Sequence, residues 1–511
     1  MKKKIYIFIS IVFFTLVFTP LVNIWLDAKS LKDGTKSLWN KAFLYNIDYA
    51  LPVLGRVYSY LGVSINPGQV VLGKDGWFFL GDDHAQSITV KRTGVTDENS
   101  LVVQQVISNQ ENWEHWFHRH GVKQYRILIG PDKDSVYPEF LPDWAVHSTH
   151  QVLSKLLNDS PSLLYVDAIT PLLAAKKNHS VPLYFKTDTH WNSLGAWIAF
   201  EAFAANLHKS EPGLRWPEPS LGKVMTSHDR EGGDLSRFQR IQSVTRDREV
   251  ALAFHAGPQL DVEEYDYTSG LLVRSGPNTP LDAPQKPLLV STKGALNDAK
   301  VLWLRDSFGI SLSPFMAATF SKTLQIHYDQ VSSDKLVELV NEFKPDYVVF
   351  SAVERVSRMG LFLASPPTFS IANDRKQFLQ LASGKASQTN DLNQAALNGE
   401  YKVTGADPYV VFQFSKPLQS DNVRQLAFNL SCVSTSDTVF PVQVYWSTKD
   451  KGFNEEDSAI FNVKQGTTAV DISSAKKWPV GKELSEIRFD LVAPKGCPVF
   501  SIDDLAVGTN P

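Results

Sequence analysis

Val301-Leu302-Trp303-Leu304-Arg305-Asp306-Ser307-Phe308-Gly309 takes four apolar residues straight into a polar turn. Beyond it, apolar residues around Phe315 and Met316 predict a helix, and Thr323 to His327 a strand. A helix from Ser333 to Phe343 and a strand from Tyr347 to Phe350 follow. Alternation of strand and helix is the sequence mark of a parallel sheet with crossover helices, hence an α/β fold. In such sheets ligands bind beyond the carboxyl ends of the strands. Ser307 stands at one of these ends.

A serine needs a base within hydrogen-bond reach, and the base needs an orienting partner. Tyr184 to Ala196, YFKTDTHWNSLGA, supplies both as Asp188 and His190. Members of a Ser-His-Asp triad come in any chain order. On an extended segment, residues two apart share a side, so both would face one serine. The assignment is Ser307 as nucleophile, His190 as general base and Asp188 as the group that orients it. The amide of Ser307 is a candidate oxyanion donor. Asp-x-His alone, or Asp-Ser-Phe-Gly alone, is more often a polar turn or a helix cap.

Outward from this pair, Val70 to Leu80 reads as a hairpin turned at Asp75-Gly76. Asp97 or Asn99 is the expected cap of a helix reaching His120, with Gly121 as its stop. Tyr125 to Ile129 and Leu163 to Val166 read as strands, and Ser193 as the cap of a further helix. From about Glu211 to Asn297 the chain is rich in Pro, Gly and charge, and reads as an elaboration of the core domain. His115, His118 and His120 cluster at a helix end, with His147 and His150 beyond. A helix C-terminus favours histidine through its dipole, and no ligand pattern accompanies them, so no metal site is assigned.

The chain has 511 residues, too many for one simple core, and a formal net charge of -3 that gives no reason to expect nucleic acid. Residues 1–27 form the expected membrane anchor. Three lysines precede an uncharged run from Ile5 to Leu26, long enough to cross a bilayer, with the N-terminus on the cytoplasmic side. A cleaved signal peptide is the competing reading. Residues 28–67 read as a juxtamembrane segment, amphipathic and helical in part. Residues 68–383 form the α/β catalytic domain, 384–393 a linker, and 394–511 a small all-β sandwich of short apolar runs between turn signals. Cys432 and Cys497 both fall in the sandwich, and export favours their pairing over two buried thiols.

Four segments in this order resemble the alginate O-acetyltransferase family of the AlgX and AlgJ type. They are Gly73-Lys74-Asp75-Gly76-Trp77-Phe78-Phe79, Pro131 to Pro138, Thr187 to Asn192, and Arg305 to Gly309. Glu354-Arg355 also fits the group. The resemblance implies an SGNH-hydrolase-like parallel sheet flanked by helices, and acetyl transfer onto hydroxyls of an exopolysaccharide through an acetyl-serine, with no cofactor. It implies a membrane-bound acyltransferase as supplier of the acetyl donor. Together with the expected anchor, which is where the chain departs from AlgX itself, it implies a single-pass protein of the bacterial inner membrane, its catalytic and C-terminal domains in the periplasm. The β-rich tail would then be a carbohydrate-binding module, with Trp446 and Trp478 as sugar platforms if they are not core. Lys133 and Arg305 are further substrate-binding candidates. An acetyl esterase with the same triad and a non-catalytic polysaccharide-binding or assembly component are the alternatives.

Overall fold

The structure is a computed structural model. It describes residues 2–33, 38–160, 163–257, 260–364, 366, 378–380, 386–394, 400–433, 439–464, 466–492 and 496–508. Its centre is an eight-stranded sheet in the order Tyr165–Val166, Gln124–Gly130, Tyr347–Val353, Asn297–Arg305, Phe320–His327, Leu288–Thr292, Asp261–Asp266, Leu272–Pro277. The first five strands are parallel and the last three antiparallel. Residues 211–297, opaque in the sequence, supply those antiparallel strands and a separate two-stranded sheet, Val224–Glu231 with Arg246–Leu252.

The central strands are apolar on both faces because both faces are covered. Side chains alternate across the sheet. Val301 and Trp303 join one core with Trp197, Phe200 and Phe203 of the helix Ser193–Ser210. Leu302 and Leu304 join the other with Trp113 and Phe117 of the helix Asp97–Arg119. The helix Ser333–Phe343 starts and stops where its sequence pattern does. Two expected caps are each displaced by one to three residues. Thr96, with Asn99 answering it in a capping box, starts Asp97–Arg119, and Asn192 starts Ser193–Ser210 by accepting from the amides of Leu194 and Gly195. The hairpin Val70–Leu72 with Phe78–Leu80 turns as expected, with Asp75 and Gly76 both at positive φ.

The C-terminal region is a sandwich of two antiparallel sheets around one apolar core. The apolar runs at Tyr409 to Phe414, Leu426 to Leu430, Val442 to Trp446, Ala459 to Val463, Ile487 to Asp490 and Val499 to Ile502 all lie in strands. The expected linker 384–393 is different. Residues 384–385 lie outside the described residues, and Gln388–Asn390 already pairs with Tyr409–Gln419 in the sandwich. Phe378–Gln380 pairs with Val499–Gly508, so sandwich strands occur before residue 384 as well. Short polar strands carry too little apolar pattern to be told from a linker. Cys432 and Cys497 are joined in a disulfide. The sandwich meets the helix Asp97–Arg119 through Asn112 Nδ2 to the Ile460 carbonyl (3.0 Å) and an ion pair of Lys476 with Glu111.

At the N-terminus, Lys2–Leu26 is one helix containing Pro20. It is long and apolar enough to cross a membrane.

Candidate active site

The central strand Asn297–Arg305 ends at Asp306, whose carboxylate closes the strand end in two directions. Oδ1 accepts from the Phe308 amide (2.9 Å) and Oδ2 from the Val353 amide of the neighbouring strand (2.8 Å). This turn presents Ser307 at the carboxyl edge of the sheet, with Phe308 buried beneath it.

His190 Nε2 lies 2.8 Å from Ser307 Oγ, and His190 Nδ1 lies 2.7 Å from Asp188 Oδ1. The three side chains the sequence paired across more than a hundred residues are therefore in one hydrogen-bonded line. The local reason differs from the expected one. Residues 187–190 are a run of bends, not an extended strand. Asp188 Oδ1 also accepts from the amide of His190 (3.1 Å), so an Asx-type bend brings carboxylate and imidazole together. The bend is closed at its base by Phe185 N to His190 O (3.2 Å) and Asn192 N to Leu183 O (2.9 Å).

Neighbours fix this loop from every side. Lys133 Nζ donates to the carbonyls of Phe185 (3.0 Å), Lys186 (2.9 Å) and Asp188 (2.7 Å). Thr187 is held by Asp247, with 3.0 Å from its amide and 2.6 Å from its hydroxyl. Thr189 is held by Asp234 in the same way. Trp191 Nε1 donates to the Phe308 carbonyl (3.0 Å), which ties the histidine loop directly to the serine turn. Arg230 sits 3.5 Å from the free oxygen of Asp188.

Burial opposes ionisation of Asp188, but the hydrogen bonds and charge of His190, with Arg230 beyond, hold its carboxyl down at about 2. Burial likewise opposes charge on His190. The hydrogen bond and charge of Asp188, with Asp234 and Asp306 adding theirs, outweigh it and raise the imidazole above its ordinary value. The loop thus favours the protonated form of His190. Asp188, His190 and Asp234 also bring ligand atoms within 4.8 Å of one another, but two of the three already serve the triad.

Beside the triad, the Pro131-to-Ser135 segment and Glu354-Arg355 form one buried ion network. Lys91 Nζ contacts Asp134 (2.6 Å) and Asp132 (3.0 Å), Arg355 pairs with Asp132, and Glu354 accepts from the Ser135 hydroxyl (2.6 Å). His147 joins at Asp134 (3.1 Å). Burial weakens the ammonium of Lys91, but the surrounding carboxylates win and raise it. A small cleft opens here, lined by Phe79, Leu80, Lys133, Thr189 and Arg355 among others.

Four sequence candidates for substrate binding are placed otherwise. Lys133 is buried with its three donors spent on loop carbonyls. Arg305 is fully buried, bonded to Gln325 Oε1 and to the carbonyls of Leu281 and Asp282. Trp446 and Trp478 pack edge to face at 5.3 Å inside the sandwich core. Each is large or cationic, which drew the expectation, and each is consumed by the fold. The His120 ring stacks on Trp116, while the side chain of His115 lies outside the described residues. Conversely, the sequence reading passed over Asp234, Asp247 and Arg230. The legible signal was Gly232-Gly233-Asp234: a Cβ on Gly233 would lie 2.2 Å from the Asp188 side chain, so only glycine lets the turn approach.

An α/β sheet with a Ser-His-Asp line at its carboxyl edge defines a serine-hydrolase type of domain. Residues 70–262 match the family described as SGNH hydrolase-like domain, acetyltransferase AlgX. This segment is similar to the AlgX/AlgJ-like family. The chain is 27% identical over 211 residues to the probable alginate O-acetylase AlgJ of Pseudomonas syringae pv. tomato, covering 39% of this chain and 50% of that protein. It is 28% identical over 180 residues to the corresponding protein of Pseudomonas aeruginosa, covering 34% and 41%. The chain thus spans about half the length, or less, of these curated relatives. Among solved structures, Pseudomonas aeruginosa AlgX is similar at 12% identity and a TM-score of 0.32, over 86% of this chain and 94% of that one.

Proposed function

We propose that the chain is an O-acetyltransferase that moves an acetyl group through an acetyl-serine onto hydroxyls of an exopolysaccharide. The observation that carries this is the Asp188–His190–Ser307 line, with Asp188 and His190 inside the residues 70–262 that match the acetyltransferase family model and Ser307 downstream of them. Ser307 Oγ attacks the acetyl carbonyl of the donor and passes its proton to His190 Nε2, while Asp188 holds the imidazolium. The Ser307 amide, which has no acceptor among the described residues, faces the developing oxyanion. The tetrahedral intermediate collapses, the leaving group takes the proton from His190, and the acetyl group stays on Ser307. A sugar hydroxyl then gives its proton to His190 and attacks the acetyl carbonyl; the bond from that carbon to Ser307 Oγ breaks, and Oγ takes the proton back from His190.

In this reading Lys2–Leu26 is a single-pass anchor in a bacterial inner membrane and the rest lies in the periplasm. A membrane-bound acyltransferase supplies the donor. The sandwich binds the polymer through exposed residues, not through its buried tryptophans.

The test uses the full chain in detergent with a chromogenic acetyl ester, with and without an oligosaccharide acceptor. Ester cleavage is expected, with the acetyl group found on the peptide containing Ser307 and passed to the sugar when acceptor is present. Ser307→Ala and His190→Ala should lose both. Undiminished cleavage by Ser307→Ala sinks the catalytic reading. Acetate release with no acetylated sugar favours an esterase instead.

A further inference from the structure

Thr19 and Asn23, two polar residues within the apolar run of the helix Lys2–Leu26, are both buried. What buries them is the chain that follows. Asn23 Nδ2 donates to the carbonyls of Leu44 and Asn46, at 2.9 Å each, and Thr19 Oγ1 meets the Tyr49 hydroxyl at 3.2 Å. Residues 41–49 therefore double back alongside the helix. Thr19 lies seven residues before its end, a depth of about 10 Å along the axis. Any membrane around this helix meets the segment at that depth.

The segment is poorly suited to water. Trp39 is 94% and Tyr60 91% exposed, and Tyr45, Val53, Val57 and Leu61 are exposed as well. Val53, Leu54, Val57, Tyr58 and Leu61 share one face of the helix Leu51–Tyr60 and its C-cap. Lys41 and Arg56 stand exposed nearby. Aromatic rings, an apolar stripe and basic residues beside a spanning helix are the chemistry of the headgroup layer.

The opposite face is committed to the α/β domain. A Cβ on Gly55 would lie 2.2 Å from the Gln239 carbonyl. The Gln239 side chain holds the Ile65 amide (3.0 Å) and the Ser64 hydroxyl (2.6 Å). Gln239 immediately follows the short helix Asp234–Phe238, whose Asp234 holds Thr189 next to His190. Two contacts thus separate the segment from the active-site loop.

We propose that residues 38–63 form an interfacial collar in the lipid headgroup layer, which seats the catalytic domain directly on the bilayer surface. This rests on reading Lys2–Leu26 as a membrane anchor. The occupant of the apolar face is lipid, because residues just before it are hydrogen-bonded along the spanning helix, and because exposed Lys41 and Arg56 outweigh the one exposed Asp48 of the segment. The site would then work close to the membrane instead of at the end of a free tether.

The test places single thiols in the full chain, where the native cysteines are paired in a disulfide. Val57→Cys, Phe13→Cys and Val480→Cys carry a bimane label in vesicles of phosphatidylethanolamine and phosphatidylglycerol. The Val57 label is expected to be quenched at least about twofold by lipid with a nitroxide near the headgroup, and less by one deep in the acyl chain. The Val480 label should be quenched by aqueous iodide only. A Val57 label as open to iodide as the Val480 label overturns the collar, while deep quenching at Phe13 keeps the anchor. Shielding at Val57 from both iodide and nitroxide means that protein covers the face, and also overturns the proposal. Loss of deep quenching at Phe13 removes the anchor itself, and the collar with it.

Discussion

At the scale of single residues, His190 is the group whose charge state governs the proposed mechanism. Its pKa is raised because the attraction of Asp188, Asp234 and Asp306 exceeds the penalty of burial. A general base must be neutral to accept a proton. The acid limb of kcat/KM for a small acetyl ester is therefore expected above the ordinary histidine value of about 6.5. Asp188→Asn removes the largest of these attractions, so the limb should move to lower pH. The plateau should fall roughly 10³- to 10⁴-fold, because the amide no longer fixes the tautomer or stabilises the imidazolium. A pH–rate profile of both proteins checks this, and an unshifted limb would contradict the assignment of His190 as base. Lys133 acts through the backbone instead. Lys133→Met leaves three carbonyls, two of them buried, without their donor, at roughly 1–3 kcal/mol for such a loss. Thermal unfolding and ester cleavage should both decline. Unchanged activity in a destabilised protein would confine Lys133 to folding.

Between elements, the decisive fit is that of the Gly232-Gly233 turn against the Asp188 bend. Gly233 has an ordinary φ of -84°, so alanine there adds no backbone strain. Its Cβ, however, would fall 2.2 Å from the Asp188 side chain. The bend must move, and a shift of about 1 Å in a catalytic group costs on the order of 10²-fold in rate. Gly233→Ala is expected to lose about that much kcat while its far-ultraviolet circular dichroism stays that of the parent. Parent-level kcat would mean that the loop has slack. The same fit explains what the sequence did and did not disclose. The parallel strands were legible because burial on two faces makes them continuously apolar, as in Val301 to Leu304. Ser307 was legible because an apolar strand ending in a polar turn is a local pattern. The Asx bend at Asp188 was not, since its geometry comes from Lys133, Asp234 and Asp247 at distances of 45 to 60 residues along the chain. The antiparallel half of the sheet was hidden for a related reason. Its strands are partly exposed, as the burial of Leu272–Pro277 shows, and lack the apolar run that marks the centre.

Across the whole molecule, two units with separate cores share one chain. The α/β domain is covered on both sheet faces, and the sandwich closes around its own apolar centre and one disulfide. Cys432 and Cys497 are 65 residues apart, and the loop-closure relation for that length gives about 4 kcal/mol of stabilisation, an upper figure for many real disulfides. The bridge ties the strand Gln425–Val433 to the entry of Val499–Gly508, so what it restrains lies wholly within the sandwich. Replacing both cysteines by serine is expected to lower the unfolding midpoint of the sandwich by an amount equivalent to roughly 2–4 kcal/mol. The triad is built entirely from residues 188 to 307, so cleavage of a small acetyl ester should be unchanged at temperatures where the sandwich is loosened. Calorimetry of the full chain in detergent should resolve this as a shift in one transition, with ester cleavage following the other. If ester cleavage is instead lost in step with the weakened transition, the contacts of Asn112 and Glu111 with the sandwich couple the two units, and the catalytic domain depends on its β-rich partner for its own stability.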